Sequence, residues 1–137
     1  MNADCFVDTN VLLYAISADS SEADKAKKAR AILSREDFGL SVQVVQEFFV
    51  NATQKIARPL SDAEALEFVD ILALAPIIPI DLALVIEAVA YRQRYGISYW
   101  DAAIIAGAQA LGARVLYSED LAHDAEYGSV RVVNPFR

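Results

Sequence analysis

Short apolar runs alternate with amphipathic stretches along the chain, and polar or proline residues punctuate them at regular intervals. Residues 4 to 8 read as a central strand, with Cys5, Phe6 and Val7 apolar and Asp8 ending the run. Asp8-Thr9-Asn10 turns into the apolar segment Val11 to Ile16, and Ser21-Glu22-Ala23-Asp24 reads as a capping box opening a helix to about Leu33. Phe38 to Val42 reads as a second strand. From Gln43 to Ile56, the residues Val45, Phe48, Phe49, Ala52 and Ile56 fall at helical spacing, which leaves Glu47, Asn51 and Gln54 on the other side. Pro59 breaks this helix; Ser61-Asp62-Ala63-Glu64 caps the next, which Pro76 stops.

Ile77 to Ile80, between two prolines, reads as a short strand near an edge. Asp81 caps a helix that ends near Gly96, and Ser98 caps another from Tyr99 to Leu111. Ala102, Ala103, Ala106, Gly107 and Ala110 give that helix a face fit for close packing on a sheet. Ala113 to Tyr117 and Val130 to Val133 complete the strands. Strands alternating with helices predict an α/β domain with a central parallel sheet of four or five strands and helices on both faces. There is no repeat, low-complexity stretch or linker, so residues 1–137 read as one domain.

Composition narrows the setting. Hydrophobic residues make up 55% of the 137 positions and the mean hydropathy is +0.29, yet no apolar run approaches the roughly 20 residues of a membrane span. A subunit interface, hence a homodimer, is the expected place for the surplus. The start lacks a basic region, and the stretch from Val11 is cut short by Ser17 to Ser21, so no signal peptide is expected. Cys5 is the only cysteine, which fits a reducing cytoplasm and a buried, inert thiol. A net charge of −7 argues against broad, non-specific nucleic-acid binding. It leaves room for a nuclease that gathers a few cations at one groove, with Lys25, Lys27, Lys28 and Arg30, and Arg92 and Arg94, as candidates; the first four also suit a solvated helix face, and the last two a helix C-terminus.

Four acids then stand out: Asp8 after the first strand, Glu47 inside an apolar helix, Asp101 in the first turn of another, and Asp120 after the strand ending at Tyr117. In such a sheet, strand ends and the following helix starts collect at one edge, where α/β sites form. At about 5 Å and an effective dielectric of 20, each pair of carboxylates costs about 3 kcal/mol. A hard cation such as Mg²⁺ or Mn²⁺ would neutralise the cluster. Taken singly, Asp8 could cap its turn, Asp101 could complete a capping box with Ser98, and Asp120 could cap a short helix through His123. Glu47 is harder to dismiss: mid-helix beside Phe48 and Phe49, with Asn51 rather than a base at i+4, it needs a partner.

Other chemistries fit poorly. His123 is the sole histidine, expected at the surface, which removes a two-histidine acid–base pair and disfavours zinc. The five glycines form no phosphate loop. A receiver-like phosphorylation module would want a lysine near the acids, and none follows Lys55.

Phe6-Val7-Asp8-Thr9-Asn10 resembles the opening motif of PIN-domain ribonucleases. Gln46-Glu47-Phe48-Phe49-Val50-Asn51 resembles their second acidic motif, Tyr99-Trp100-Asp101-Ala102-Ala103-Ile104 the third, and Tyr117-Ser118-Glu119-Asp120 the last; Val132-Val133-Asn134-Pro135-Phe136 is similar to the tail of one prokaryotic branch. Within the family the likeness is to VapC-type toxins of type II toxin–antitoxin pairs. The resemblance implies a three-layer α/β/α fold and an endoribonuclease dependent on Mg²⁺ or Mn²⁺. Asp8, Glu47, Asp101 and Asp120 become metal-binding acids, Asn10 and Ser118 supporting polar positions, and RNA and a cognate antitoxin the partners. Glu119 adjoins Asp120; the residues leave the choice between them open, and the family pattern favours the acid two places after the hydroxyl. A PIN nuclease of RNA processing without an antitoxin, and a non-catalytic acidic-pocket module, are the competing readings.

Overall fold

A computed structural model describes residues 1–35 and 37–137. The first strand, β1, is Cys5–Val7; α1 follows at Thr9–Ala15, then a 3-10 turn at Ser20–Glu22 and α2 at Ala23–Leu33. After β2 (Phe38–Ser41) come α3 (Val42–Gln54) and α4 (Asp62–Leu72). Then β3 (Ile77–Ile78), α5 (Leu82–Tyr95) and α6 (Tyr99–Ala110) lead to β4 (Val115–Tyr117), β5 (Glu126–Tyr127) and β6 (Val130–Val133).

The sheet runs β3-β2-β1-β4-β6-β5. Its first five strands are parallel and β5 alone is antiparallel, paired with β6. The chain steps outward from β1 to β3, then returns through α5 and α6 to place β4 on the far side of β1. The order therefore reverses between β1 and β4, the place where an open α/β sheet forms its crevice. Every residue of β1 is buried, as expected of a strand covered on both faces. α6 lies across β2, β4 and β6 with α5 packed on it, while α1 to α4 pack on one another across the other face. The result is the expected three-layer α/β/α domain. Close approach of α6 needs Gly107, since a Cβ there would sit 3.3 Å from the Phe6 ring and 3.4 Å from the Ser41 Cβ.

The five parallel strands match the expected count, and the two-residue β5 adds a sixth, antiparallel strand that joins β6 through a tight Gly128-Ser129 loop with Gly128 at φ +61°. Other expectations need correction. The capping box expected at Ser21 does not form: the charged Asp19 carboxylate accepts from both the Ser21 N–H and its hydroxyl, and α2 starts without a side-chain cap. Residues 118–124 form bends and turns rather than a helix, so Asp120 caps nothing. The buried positions of α3 are Gln43, Val44, Phe48 and Ala52, with Val45 only partly covered. His123 is half-buried, its Nδ1 accepting from the Asn134 N–H.

The other caps are as expected. Ser61 and Glu64 make the reciprocal box of α4, Asp81 caps α5, and Gly96 closes α5 at φ +65° behind Arg92 and Arg94. Cys5 is a core residue whose thiol is pushed up to about 11, by burial first and by Asp37 second.

Candidate active site

The crevice between β1 and β4 is built from residues that the two strands release at their carboxyl ends. Asp8 ends β1 and is the N-cap of α1, where its Oδ1 accepts from the Thr9 N–H at 2.7 Å. Its Oδ2 accepts from the Ser118 hydroxyl at 2.8 Å, across the point where the strand order reverses. Ser118, fully buried, also accepts from the N–H groups of Asp120 and Leu121, at 3.2 and 3.3 Å. One hydroxyl thus shapes the turn after β4 and anchors Asp8 to it.

Asp120 leaves this turn toward α1, where its Oδ2 accepts from Asn10 Nδ2 at 3.1 Å. Glu119 points elsewhere: its Oε1 accepts from the Tyr14 hydroxyl at 3.0 Å, and Lys25 Nζ lies 3.7 Å from its Oε2. Of the two adjacent acids, Asp120 is the one that meets Asn10.

Glu47 has found two partners. Thr9 Oγ1 donates to its Oε2 at 2.7 Å, and Gln43 Nε2, one turn back on α3, donates to its Oε1 at 3.0 Å. Gln43 Nε2 also reaches the Trp100 carbonyl at 3.3 Å, tying the glutamate's surroundings to the start of α6. Asn51, by contrast, bonds the Glu47 backbone carbonyl. Thr9 and Gln43 had been given no role. Thr9 stood inside the first motif, and Gln43 is the i−4 neighbour of Glu47, a spacing at which amide and carboxylate meet on a helix.

Asp101 lies in the first turn of α6, where Ser98 accepts from its N–H at 3.1 Å. The reciprocal bond from Ser98 to the Asp101 carboxylate is not formed, in contrast with Ser61 and Glu64. Its carboxylate is therefore free of the capping role that the spacing allowed.

The four acids act on one another through their charges: Asp8 feels Glu47 and Asp120, and Asp120 feels Asp101 and Glu47. Asp8 is 6% exposed, and its pKa is pushed up from 3.8 to about 6, by burial first. Hydrogen bonds from Ser118 and Thr9 oppose the shift, while the charges of Glu47 and Asp120 add to it. Asp120 is also raised, by desolvation and then by Glu119, Asp101 and Glu47. Among the described residues no lysine, arginine or histidine forms an ion pair with Asp8, Glu47, Asp101 or Asp120. Also among the described residues, no three acidic, histidine or cysteine side chains are gathered closely enough to be a finished ligand set. Neutral donors hold the carboxylates: Thr9 and Gln43 on Glu47, Asn10 on Asp120, Ser118 on Asp8.

The donor chemistry fits a hard divalent cation. All four groups offer carboxylate oxygens, none is ion-paired among the described residues, and burial raises the pKa of the most buried, Asp8. Mg²⁺ retains much of its water shell, so only some of the acids need touch it directly.

Beside the acids, a cleft of about 700 Å³ opens at Asn10 and runs past Leu13 and Tyr14 to Ile56, Arg58 and Leu60. Only Asn10 belongs to both, so the cleft is a neighbour of the acidic site rather than its floor.

A pH dependence follows. Above pH 3.8 the unfolded chain has lost the Asp8 proton, while the folded chain keeps it up to about pH 6. Folding is therefore penalised increasingly across that interval, by up to about 3 kcal/mol for a shift of this size. In chelator, urea unfolding of the wild type should lose stability relative to Asp8→Asn as pH rises from 4 to 7. A stability difference that stays flat with pH contradicts the burial of an uncompensated charge at Asp8.

Comparison with known proteins places this geometry. A search of curated proteins gives no match. Among solved structures, the chain is similar to a toxin–antitoxin complex from Klebsiella pneumoniae, at 23% identity and a TM-score of 0.71, covering 96% of this chain and 97% of that one. It is similar to VapC20 from Mycobacterium tuberculosis, described as a toxin that cleaves the sarcin–ricin loop, at 17% identity and 0.66, covering 85% and 89%. FitAB bound to a DNA fragment is matched at 20% identity and 0.69, covering 97% and 96%. At these identities the likeness carries the fold. The PIN domain family model matches residues 5–125, nearly the whole chain, and the chain belongs to that family.

Proposed function

We propose that the protein is an endoribonuclease dependent on Mg²⁺ or Mn²⁺ that acts as the toxin of a toxin–antitoxin pair. What supports this reading most is a set of carboxylates that feel one another's charge, Asp8 with Glu47 and Asp120, and Asp120 with Asp101 and Glu47, with no cationic side chain paired to any of them among the described residues. Asp8, Glu47, Asp101 and Asp120 would hold the ion. A bound divalent ion supplies Lewis acidity toward a phosphodiester and lowers the pKa of water near neutrality. The chain's own part is placement. Thr9 and Gln43 fix the Glu47 carboxylate, Ser118 fixes Asp8 against the turn carrying Asp120, and Asn10 orients Asp120. Asp101 makes no reciprocal capping bond, so its oxygens are available to the site.

The toxin reading draws support from the similar structures, which include a toxin–antitoxin complex and a toxin that cleaves the sarcin–ricin loop. The cleft beside Asn10 has the apolar walls Leu13, Ile16, Ile56 and Leu60. An antitoxin segment seated there would lay apolar side chains along it and direct an arginine toward the acids, in the manner of a helix in a groove. Arginine suits that place better than lysine because its planar fork can engage a carboxylate bidentately. A cytoplasmic setting accords with the single buried thiol. Among the described residues, no helix is long and apolar enough to cross a membrane.

A homodimer accounts for the apolar surplus. Leu82, Ile86 and Val89 form an exposed stripe at i, i+4 and i+7 on α5, and Leu66 and Ile71 are exposed on α4. Light scattering at micromolar concentration should give twice the 15.0 kDa chain mass. A particle of one chain mass contradicts the dimer.

Cleavage of RNA should require Mg²⁺ or Mn²⁺ and stop in EDTA; undiminished cleavage in chelator, with contaminating nuclease excluded, removes the central reading. Asp101→Ala separates catalysis from capping. Activity should collapse while metal-free stability is unchanged or improved, because one member of a repulsive set is gone. Retained activity with a loss of about 1 kcal/mol, the scale of a cap, would favour a structural role.

In cells, expression of the chain alone should arrest growth, Asp8→Asn should not, and a co-expressed antitoxin should restore growth. Equal arrest by wild type and Asp8→Asn would place the toxicity outside this site. Absence of arrest by the wild type would favour a nuclease of RNA processing.

A further inference from the structure

Two acids stand side by side after β4, and one turn of α1 sorts them. Asn10 and Tyr14 are four residues apart on α1, so their side chains rise one turn apart on the same face. Asn10 donates to Asp120 at 3.1 Å and Tyr14 donates to Glu119 at 3.0 Å. Lys25, on α2, donates to the Tyr14 hydroxyl at 3.1 Å, and its ammonium lies 4.8 Å from the centre of the Tyr14 ring. The direction of this chain of bonds is forced. An ammonium only donates and an ionised carboxylate only accepts, so the phenol must take a hydrogen from Lys25 and give its own to Glu119. The Tyr14 ring is itself placed by an edge contact with Phe136, with centroids 4.7 Å apart.

Glu119 Oε2 is buried without a hydrogen bond and is matched only by the Lys25 charge at 3.7 Å. Glu119 is thus held by one strong bond, made one turn of α1 beyond Asn10, and by one nearby cation. As an isolated partly exposed ion pair, Lys25 and Glu119 would contribute little to stability. Their geometry has a different consequence.

We propose that Tyr14 and Lys25 are positioning residues that hold Glu119 along α1, so that the turn after Ser118 presents Asp120 alone to the acidic pocket. This inference rests on the metal-dependent reading for its effect on affinity, but not for its effect on Asn10. With Tyr14→Phe the ring and its contact with Phe136 remain, and the hydroxyl's bonds to Glu119 and from Lys25 are lost. Glu119 then competes for the same turn, and Asp120 loses its fixed place beside Asn10. Lys25→Met should have a smaller effect, because the phenol bond survives, and Lys25→Arg should restore most of it.

The test uses the full chain and Mn²⁺ alone as probe, with free Mn²⁺ followed by electron paramagnetic resonance. The Asn10 side-chain amide is followed separately by NMR in EDTA. Tyr14→Phe should weaken Mn²⁺ binding about tenfold, the lower end for loss of a group that orients a metal ligand, and should shift the Asn10 amide resonances. In a Glu119→Ala background, Tyr14→Phe should change neither, because its action runs through Glu119. Unchanged affinity and an unmoved amide in Tyr14→Phe overturn the proposal, as does an equal loss in the Glu119→Ala background, which would make Tyr14 merely structural. If the wild type takes up no Mn²⁺, the metal-dependent reading fails, and the amide alone then decides the positioning: a shift in Tyr14→Phe supports it, and no shift overturns it.

Discussion

The hydrogen bond from the Ser118 hydroxyl to Asp8 Oδ2 spans the gap where the strand order turns back on itself, and the site depends on it. An open parallel sheet leaves a crevice at such a reversal because the two neighbouring crossovers leave on opposite faces. Asp8 and Ser118 are the residues that β1 and β4 deliver there. The same hydroxyl accepts from two N–H groups of the following turn, so the bond that holds Asp8 also sets the path that carries Asp120. Removing it would leave a buried carboxylate short of a donor, at the cost expected for an unsatisfied charged group.

Around that bond the protein accumulates negative charge without balancing it internally. Glu47 is held by a hydroxyl and an amide, Asp120 by an amide, and Asp8 by a hydroxyl and a backbone N–H. Neutral donors orient carboxylates without neutralising them, which leaves the charge for a ligand. The chain does own cations close by, but it spends them elsewhere. Lys25 is committed to Tyr14 and Glu119, and Arg30 to the carbonyls of Ala15 and Ser17. Pairing these acids with cations would have favoured the fold; among the described residues they have no ion pair.

Much of this was legible in the residues. Asp8 and Asp101 stand at the strand end and helix start that the chain's pattern predicts, and the caps at Ser61, Asp81 and Ser98 fell where expected. Legibility failed where a contact depends on distant chain segments. The strand at Glu126 is two residues long and has no apolar pattern to reveal it. Asp19 outbid Ser21 as a cap through charge, which spacing alone does not rank. The separate bonds of Asp120 to Asn10 and of Glu119 to Tyr14 join residues more than a hundred positions apart. Thr9 lay within a recognised motif, but its role as the partner of Glu47 needed the packing of α1 against α3.

The central claim is that the acids of the β1/β4 crevice are the seat of a divalent cation. Its most direct measurement is anomalous diffraction from crystals soaked in millimolar Mn²⁺. The account predicts one strong peak beside the Asp8 carboxylate, within reach of Asp101 or Asp120, and its loss in crystals of Asp8→Asn. A soaked crystal with no peak in that crevice, or with a peak that persists in Asp8→Asn, would contradict it.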